Sequence, residues 1–153
     1  MLTAGLGFVE RLAELAGHSV LVATDQQLAS AAALMELDGL VRRLVLYTPD
    51  ITSRYLPMIV ANTGVDTIVS DRATPERQAL GIDLRLVHLS NAGPSDRTLS
   101  RRYQTEWVLL TSGTTGEPKA VVHSLASLTA AIRPADSAGS PIIWATFYDI
   151  RRY

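Results

Sequence analysis

The chain contains no cysteine. That absence excludes a disulfide framework, a thiolate metal site and a cysteine nucleophile, and it agrees with a cytoplasmic location, which we take as the expectation. An excess of charge is missing too. Fourteen Lys and Arg stand against fifteen Asp and Glu, a formal net charge of −1. No long-range field therefore favours nucleic acid or an acidic membrane as partner. No stretch approaches the ~20 uncharged apolar residues of a spanning helix. The opening residues, Met1 to Val9, carry no basic segment, and Glu10 and Arg11 interrupt them, so no signal peptide is expected. His18, His88 and His123 share no metal-ligand spacing and are read as structural.

What remains is ordinary globular composition. The chain has 153 residues, 47% of them hydrophobic, enough for one domain with a real core. We expect a single α/β domain over residues 1–153.

Apolar periodicity orders the chain. Leu6, Val9, Leu12, Leu15 and Ala16 recur at helical spacing, predicting an amphipathic helix that ends near Gly17. Ser19-Val20-Leu21-Val22-Ala23 reads as a strand, with Thr24 or Asp25 available to cap a helix from Gln26 to Leu37 that Gly39 stops. Leu44-Val45-Leu46-Tyr47 is the next strand, ended by Pro49-Asp50. A helix over residues 53–62 follows, with Pro57 in its first turn and Gly64 as its close. Thr67 to Ser70 and Leu84 to Leu89 read as strands, and residues 91–100 as a loop. Trp107 to Leu110 and Ala120 to His123 are strands, and Ser124 caps a helix through Ile132. Residues 134–140 are a turn-rich loop before a last strand, Pro141 to Thr146. Strands alternating with helices across short turns predict right-handed crossovers and a mostly parallel sheet with helices on both faces. Asp25, Asp38, Asp50 and Asp66 fall at caps and turns and are read as structural. Arg42-Arg43 and Arg151-Arg152 are read as solvated pairs.

The chemistry concentrates in residues 111–119, Thr-Ser-Gly-Thr-Thr-Gly-Glu-Pro-Lys. Seven of these nine are a hydroxyl residue, a glycine or a lysine, the parts of a loop that wraps a polyphosphate. Gly113 and Gly116 let backbone N–H groups approach an anion. Thr111, Ser112, Thr114 and Thr115 add neutral donors, and Lys119 adds a mobile positive charge. Trp107 to Leu110 feed directly into the loop, so it hangs from a buried strand, at the carboxyl end where parallel sheets bind ligands. A Gly/Thr-rich stretch between apolar runs is ordinarily a hairpin without a ligand. Nor is this a Walker A loop: Glu117 and Pro118 separate Gly116 from Lys119, and Pro118 has no N–H to offer a phosphate.

The nonapeptide, with the Trp107–Leu110 strand before it and Ala120-Val121-Val122-His123 after it, resembles the phosphate-loop signature of the adenylate-forming enzymes, which include the acyl-CoA synthetases. Every fixed position is filled. Weaker similarity runs upstream through Asp38-Gly39-Leu40, Tyr47-Thr48-Pro49-Asp50, Asn62-Thr63-Gly64-Val65 and Ser70-Asp71, so the resemblance covers residues 18–153. It implies part of the large N-terminal domain of such an enzyme, an ATP-dependent acid–thiol ligase that activates a carboxylate as acyl-adenylate. It further implies that Thr111, Ser112, Gly113, Thr114, Thr115, Gly116 and Lys119 bind ATP phosphates, with Mg2+ and coenzyme A as further cofactors, and with ATP and a carboxylic acid as ligands. Many members carry a histidine where this chain has Leu125.

The family's adenylation chain is three to four times this length. Its later Tyr-Gly-x-Thr-Glu segment, its ribose-binding aspartate and its lid lysine have no counterpart here. The chain is therefore expected to be an N-terminal fragment, inactive alone, whose partner is the remainder of the adenylation domain and which self-associates without it. The rival reading is a non-catalytic, free-standing α/β module that binds a nucleotide or a partner, or a truncated inactive homologue. The acyl substrate is not legible.

Overall fold

The computed structural model describes residues 4–5, 12–72, 84–89, 95–98, 102–112, 116–132 and 149. In chain order they form β1 (Ala4–Gly5), a 3₁₀ turn (Leu12–Leu15), β2 (Ser19–Ala23), α1 (Gln27–Leu37), β3 (Arg43–Tyr47) and a second 3₁₀ turn (Ser53–Tyr55). Then come α2 (Leu56–Thr63), β4 (Thr67–Ser70), β5 (Arg85–His88), β6 (Ser95–Thr98), β7 (Glu106–Ser112), β8 (Pro118–Ser124) and α3 (Leu125–Thr129). Six strands make one sheet in the order β5-β4-β2-β3-β7-β8, and β1 pairs with β6 separately. The first five are parallel. β8 runs antiparallel to β7.

The two faces of this sheet are both covered, and the sequence shows how. Successive residues of a strand point to opposite faces. Val20, Val22, Leu44 and Leu46 share one apolar cluster with Ala33, Leu34 and Leu37 of α1. Their neighbours Leu21, Ala23, Val45 and Tyr47 share the other with Leu56 and Ile59 of α2. α1 and α2 therefore lie on opposite faces. That follows from right-handed crossovers: α1 carries the chain from β2 outward to β3, and α2 carries it back across β2 to β4. Every residue of β2 is buried, so its side chains read as an unbroken apolar run instead of an alternation.

The turn that ends α1 is tied to the strand beside it. Thr105 is buried; its hydroxyl accepts from the Gly39 N–H at 2.8 Å and donates to the Val41 carbonyl at 2.7 Å. The Trp107 indole N–H donates to Asp38 at 3.0 Å. Asp38 is thus structural, as its place in a turn suggests.

Several expectations need correction. Of the N-terminal helix, Leu6 to Arg11 lie outside the described residues, and the described part is a 3₁₀ turn closed by Gly17 at φ +78. Residues 95–98, within the expected 91–100 loop, form β6, because β1 supplies a backbone partner from the far end of the sequence. Composition carries no trace of such a pairing. The α1 N-cap, Gln26, makes no side-chain cap bond. The Thr24 hydroxyl instead bonds to the Ser30 hydroxyl, and Asp71 serves the free N–H groups. Arg42 and Arg43 are not simply solvated. Arg42 donates to the Ser19 hydroxyl at 2.8 Å; Arg43 donates to Glu106 at 2.7 Å and to the Thr63 carbonyl. Register places these arginines where the ends of β2, β3 and β7 meet. The helix after Ser124 has the expected cap, a reciprocal box with Ser127, but stops at Thr129. Residues 134–140, the strand expected over 141–146 and the pair Arg151-Arg152 lie outside the described residues.

Candidate functional site

A cleft of about 400 Å3 opens at the carboxyl ends of β3 and β7. One wall is the turn between β3 and α2, with Thr48, Asp50, Thr52, Arg54 and Tyr55. The other is the β7–β8 hairpin, with Leu110, Thr111, Gly116 and Pro118. The first wall is held in shape by its own side chains. Tyr47 is buried, and its hydroxyl donates to the Ile51 carbonyl at 3.0 Å, while the Ile51 N–H reaches the Thr48 carbonyl at 3.1 Å. Pro57, near the start of α2, costs that helix no internal bond because first-turn N–H groups lack helical partners anyway.

The second wall includes the described ends of the sequence motif. In register, Thr111 faces Lys119 and Ser112 faces Pro118, so residues 113–117 connect two antiparallel strands. Gly116 takes φ +85, a left-handed conformation that a side chain rarely adopts. The Thr111 hydroxyl donates to the Lys119 carbonyl at a long 3.4 Å. Ser112 is described as backbone of β7; Gly113, Thr114 and Thr115 lie outside the described residues. Lys119 is exposed and does not line the cleft. Its cross-strand partner Thr111 does line the cleft, so the Lys119 backbone borders the cleft while its side chain is exposed. Of the predicted phosphate-binding set, the cleft thus brings together Thr111 and Gly116, with Lys119 beside them on the hairpin.

No protein-family model matches the chain, and no curated protein does. Solved structures do match its fold. The inhibitor-bound N-terminal domain of FACL13 from Mycobacterium tuberculosis aligns at TM-score 0.57 and 16% identity, over 74% of this chain and 32% of that one. The o-succinylbenzoate CoA synthetase (MenE) from Bacillus subtilis, in complex with the acyl-adenylate intermediate OSB-AMP, aligns at TM-score 0.56 and 16% identity, over 76% and 34%. The same synthetase in complex with ATP and magnesium ion aligns at TM-score 0.53 and 14% identity, over the same shares. The fold is that of the N-terminal domain of adenylate-forming enzymes. The chain spans about a third of the length of these structures.

Within this adenylate-forming fold, the residues that the sequence marked as turns divide into two groups. Asp50 lines the cleft. Asp25 and Asp66 are wired into the frame instead. Asp25 accepts from Arg72 at 2.8 Å. Asp66 accepts from His18 Nδ1 and from the Thr67 hydroxyl, each at 2.8 Å, and from the Ser19 N–H at 3.2 Å. Burial pushes the Asp66 carboxyl up, but those hydrogen bonds and the His18 charge outweigh it and hold it below the usual carboxylate range. His18 is structural by this geometry. His123 faces Trp107 across the hairpin. Among the described residues no group of three or more His, Asp or Glu is placed to hold a metal ion.

Sequence reasoning missed Arg54 and Tyr55 as part of the cleft. The signal was present in weak form. They follow the proline turn at the carboxyl end of β3, and β3 is the strand that pairs with β7. Only the strand order, which places β3 beside β7, shows that the two connections must face each other.

Proposed function

We propose that the chain is the N-terminal part of an ATP-dependent acid–thiol ligase of the adenylate-forming family, with residues 111–119 at the ATP phosphates. One observation carries the reading. Thr111, Gly116 and Pro118, from a nonapeptide that fills every fixed position of that family's phosphate loop, line a cleft at the carboxyl end of a sheet with that family's fold.

The chemistry follows. A carboxylate attacks the α-phosphate of ATP, forming the acyl-adenylate and releasing pyrophosphate. A thiol, that of coenzyme A, then displaces AMP. Negative charge builds on the departing pyrophosphate, and preorganised donors aimed at it lower the barrier. Thr111, Ser112, Thr114 and Thr115 supply hydroxyls, Gly113 and Gly116 supply close backbone approach, and Lys119 supplies charge on a long flexible stem. The lining fits a polyphosphate, being rich in hydroxyls and bearing a guanidinium. Magnesium, when bound with ATP, neutralises phosphate charge. Among the described residues no group of three or more His, Asp or Glu is placed to hold it.

The test is an NMR titration of the 153-residue chain with ATP and with pyrophosphate. Shifts should centre on residues 111–119, and Lys119→Ala should weaken binding by about tenfold, the loss of one charge-assisted contact. Shifts that avoid the hairpin would overturn the reading. The second reading is a binding module without catalysis. Carboxylate-dependent ATP–pyrophosphate exchange separates the two. The chain alone should show none. A chain extended past Tyr153 into the downstream segments should show it if the ligase reading holds.

A further inference from the structure

The cleft has a charged group that the phosphate-loop signature does not contain. Arg54 lies on the wall opposite the hairpin and is the only lysine or arginine among the described residues that line the cleft. Its guanidinium stacks over the Tyr55 ring, 4.6 Å from the centroid, and donates to the Tyr55 hydroxyl at 2.7 Å. Neither partner is an anion. Arg43, Arg72 and Arg85 differ in this respect: each pairs with a carboxylate, of Glu106, Asp25 and Glu14.

Three physical points follow. A guanidinium has five N–H donors in a planar fork. The contact to Tyr55 uses one of them and fixes the plane by stacking, so the remaining donors are presented with little rotamer freedom left to lose. The anion-binding wall opposite is neutral in its described lining: Leu110, Thr111, Gly116 and Pro118 carry no charge. Asp50 stands on the same wall as Arg54.

We infer that Arg54 is a second anion anchor of this cleft, taking phosphate oxygens from the wall facing the hairpin, with Tyr55 as the residue that positions it. The inference rests on the proposed polyphosphate site and adds to it a residue outside the signature. The bound anion is then clamped between two elements, the β3–α2 turn and the β7–β8 hairpin.

The experiment is titration of the full chain with inorganic pyrophosphate, followed by calorimetry and by amide shifts, for the wild type, Arg54→Ala, Arg54→Lys, Tyr55→Phe and Lys119→Ala. Arg54 is exposed, so its truncation leaves the core intact, and unchanged shifts outside the cleft verify this. Arg54→Ala should weaken binding about tenfold or more, as for loss of a charge-assisted contact. Arg54→Lys should recover part of that, since a point charge replaces the fork. Tyr55→Phe should cost a few-fold while keeping the charge. The gap between wild type and Arg54→Ala should narrow as sodium chloride is raised, which a purely structural role would not do. If the wild type binds with shifts at the hairpin, Lys119→Ala weakens it and Arg54→Ala stays within twofold, the inference fails and the polyphosphate reading stands. If the wild type binds no pyrophosphate, both fail.

Discussion

The Asp71 carboxylate accepts the backbone N–H of Gln26 at 3.0 Å and that of Asp25 at 2.8 Å, capping the entry to α1 from 45 residues away. Free N–H groups at a helix start need an acceptor, and a carboxylate there also meets the positive end of the helix dipole. Asp71→Ala should therefore lower stability by about 1 kcal/mol, the usual worth of a cap. Asp71→Asn should lose less, keeping one oxygen as acceptor. A drop in the urea midpoint at constant slope is the measurement. An unchanged midpoint in Asp71→Ala would show that the contact contributes nothing.

The His18–Asp66 pair gives a pH dependence with a definite sign. Asp66 titrates below its unfolded value in the folded chain. A depressed carboxylate adds stability that is fully present above its unfolded pKa, about 3.9. That stability is lost as pH falls through the folded value. The Asp66 side chain is 46% exposed, so solvent screening keeps the effect within about 1 kcal/mol. Wild type and Asp66→Asn should differ in stability at neutral pH, and the two curves should converge as the pH drops below the ordinary carboxylate range. A gap that persists unchanged into strong acid would mean that packing, not charge, separates them.

Which parts of this architecture were legible in sequence follows from how local their causes are. The strands of the central sheet were readable because both faces are buried, so β2 and β3 present unbroken apolar runs. The cap at Ser124 was readable because its partner, Ser127, is three residues away. The hairpin motif was readable from its own nine residues. The rest depended on remote partners. β6 exists through β1. The cap on α1 comes from Asp71. Arg42 and Arg43 look like a solvated pair until register places Ser19 and Glu106 beside them. The facing wall of the cleft, with Arg54, is a product of strand order, which no window of sequence contains.

Two glycines with similar backbone angles should tolerate alanine very differently. Gly17, at φ +78, has the Tyr103 hydroxyl 2.8 Å from where a Cβ would stand; Gly116, at φ +85, has nothing within 4 Å. Both pay the left-handed backbone cost of about 1 kcal/mol. Only Gly17→Ala must also displace a neighbour. It should be the more destabilising in thermal unfolding, and Tyr103→Ala should remove the excess. Equal losses at the two positions would show that Tyr103 yields freely. Gly116→Ala serves a second purpose, since it alters the hairpin without steric conflict and should weaken pyrophosphate binding more than stability.

The sheet's margin predicts how the chain behaves in concentrated solution. Among the described residues β8 is the last strand on its side, paired only to β7. Val122 is 56% exposed, and Leu125 and Ile132, just beyond the strand, are 41% and 66% exposed. An antiparallel edge strand with apolar side chains and free backbone groups is a template for pairing with another chain. Self-association through β8 should follow, visible as a sedimentation coefficient that rises with concentration. Val122→Lys should suppress it, because a charge on an edge strand resists being buried there, and should leave the hairpin register intact. Val122 pairs with Val108 in that register, and an unchanged β7 amide spectrum would confirm that the strand itself survives. A monomer at every concentration, with no apolar dye bound, would show that β8 is covered within the chain and would make the free-standing module the better reading.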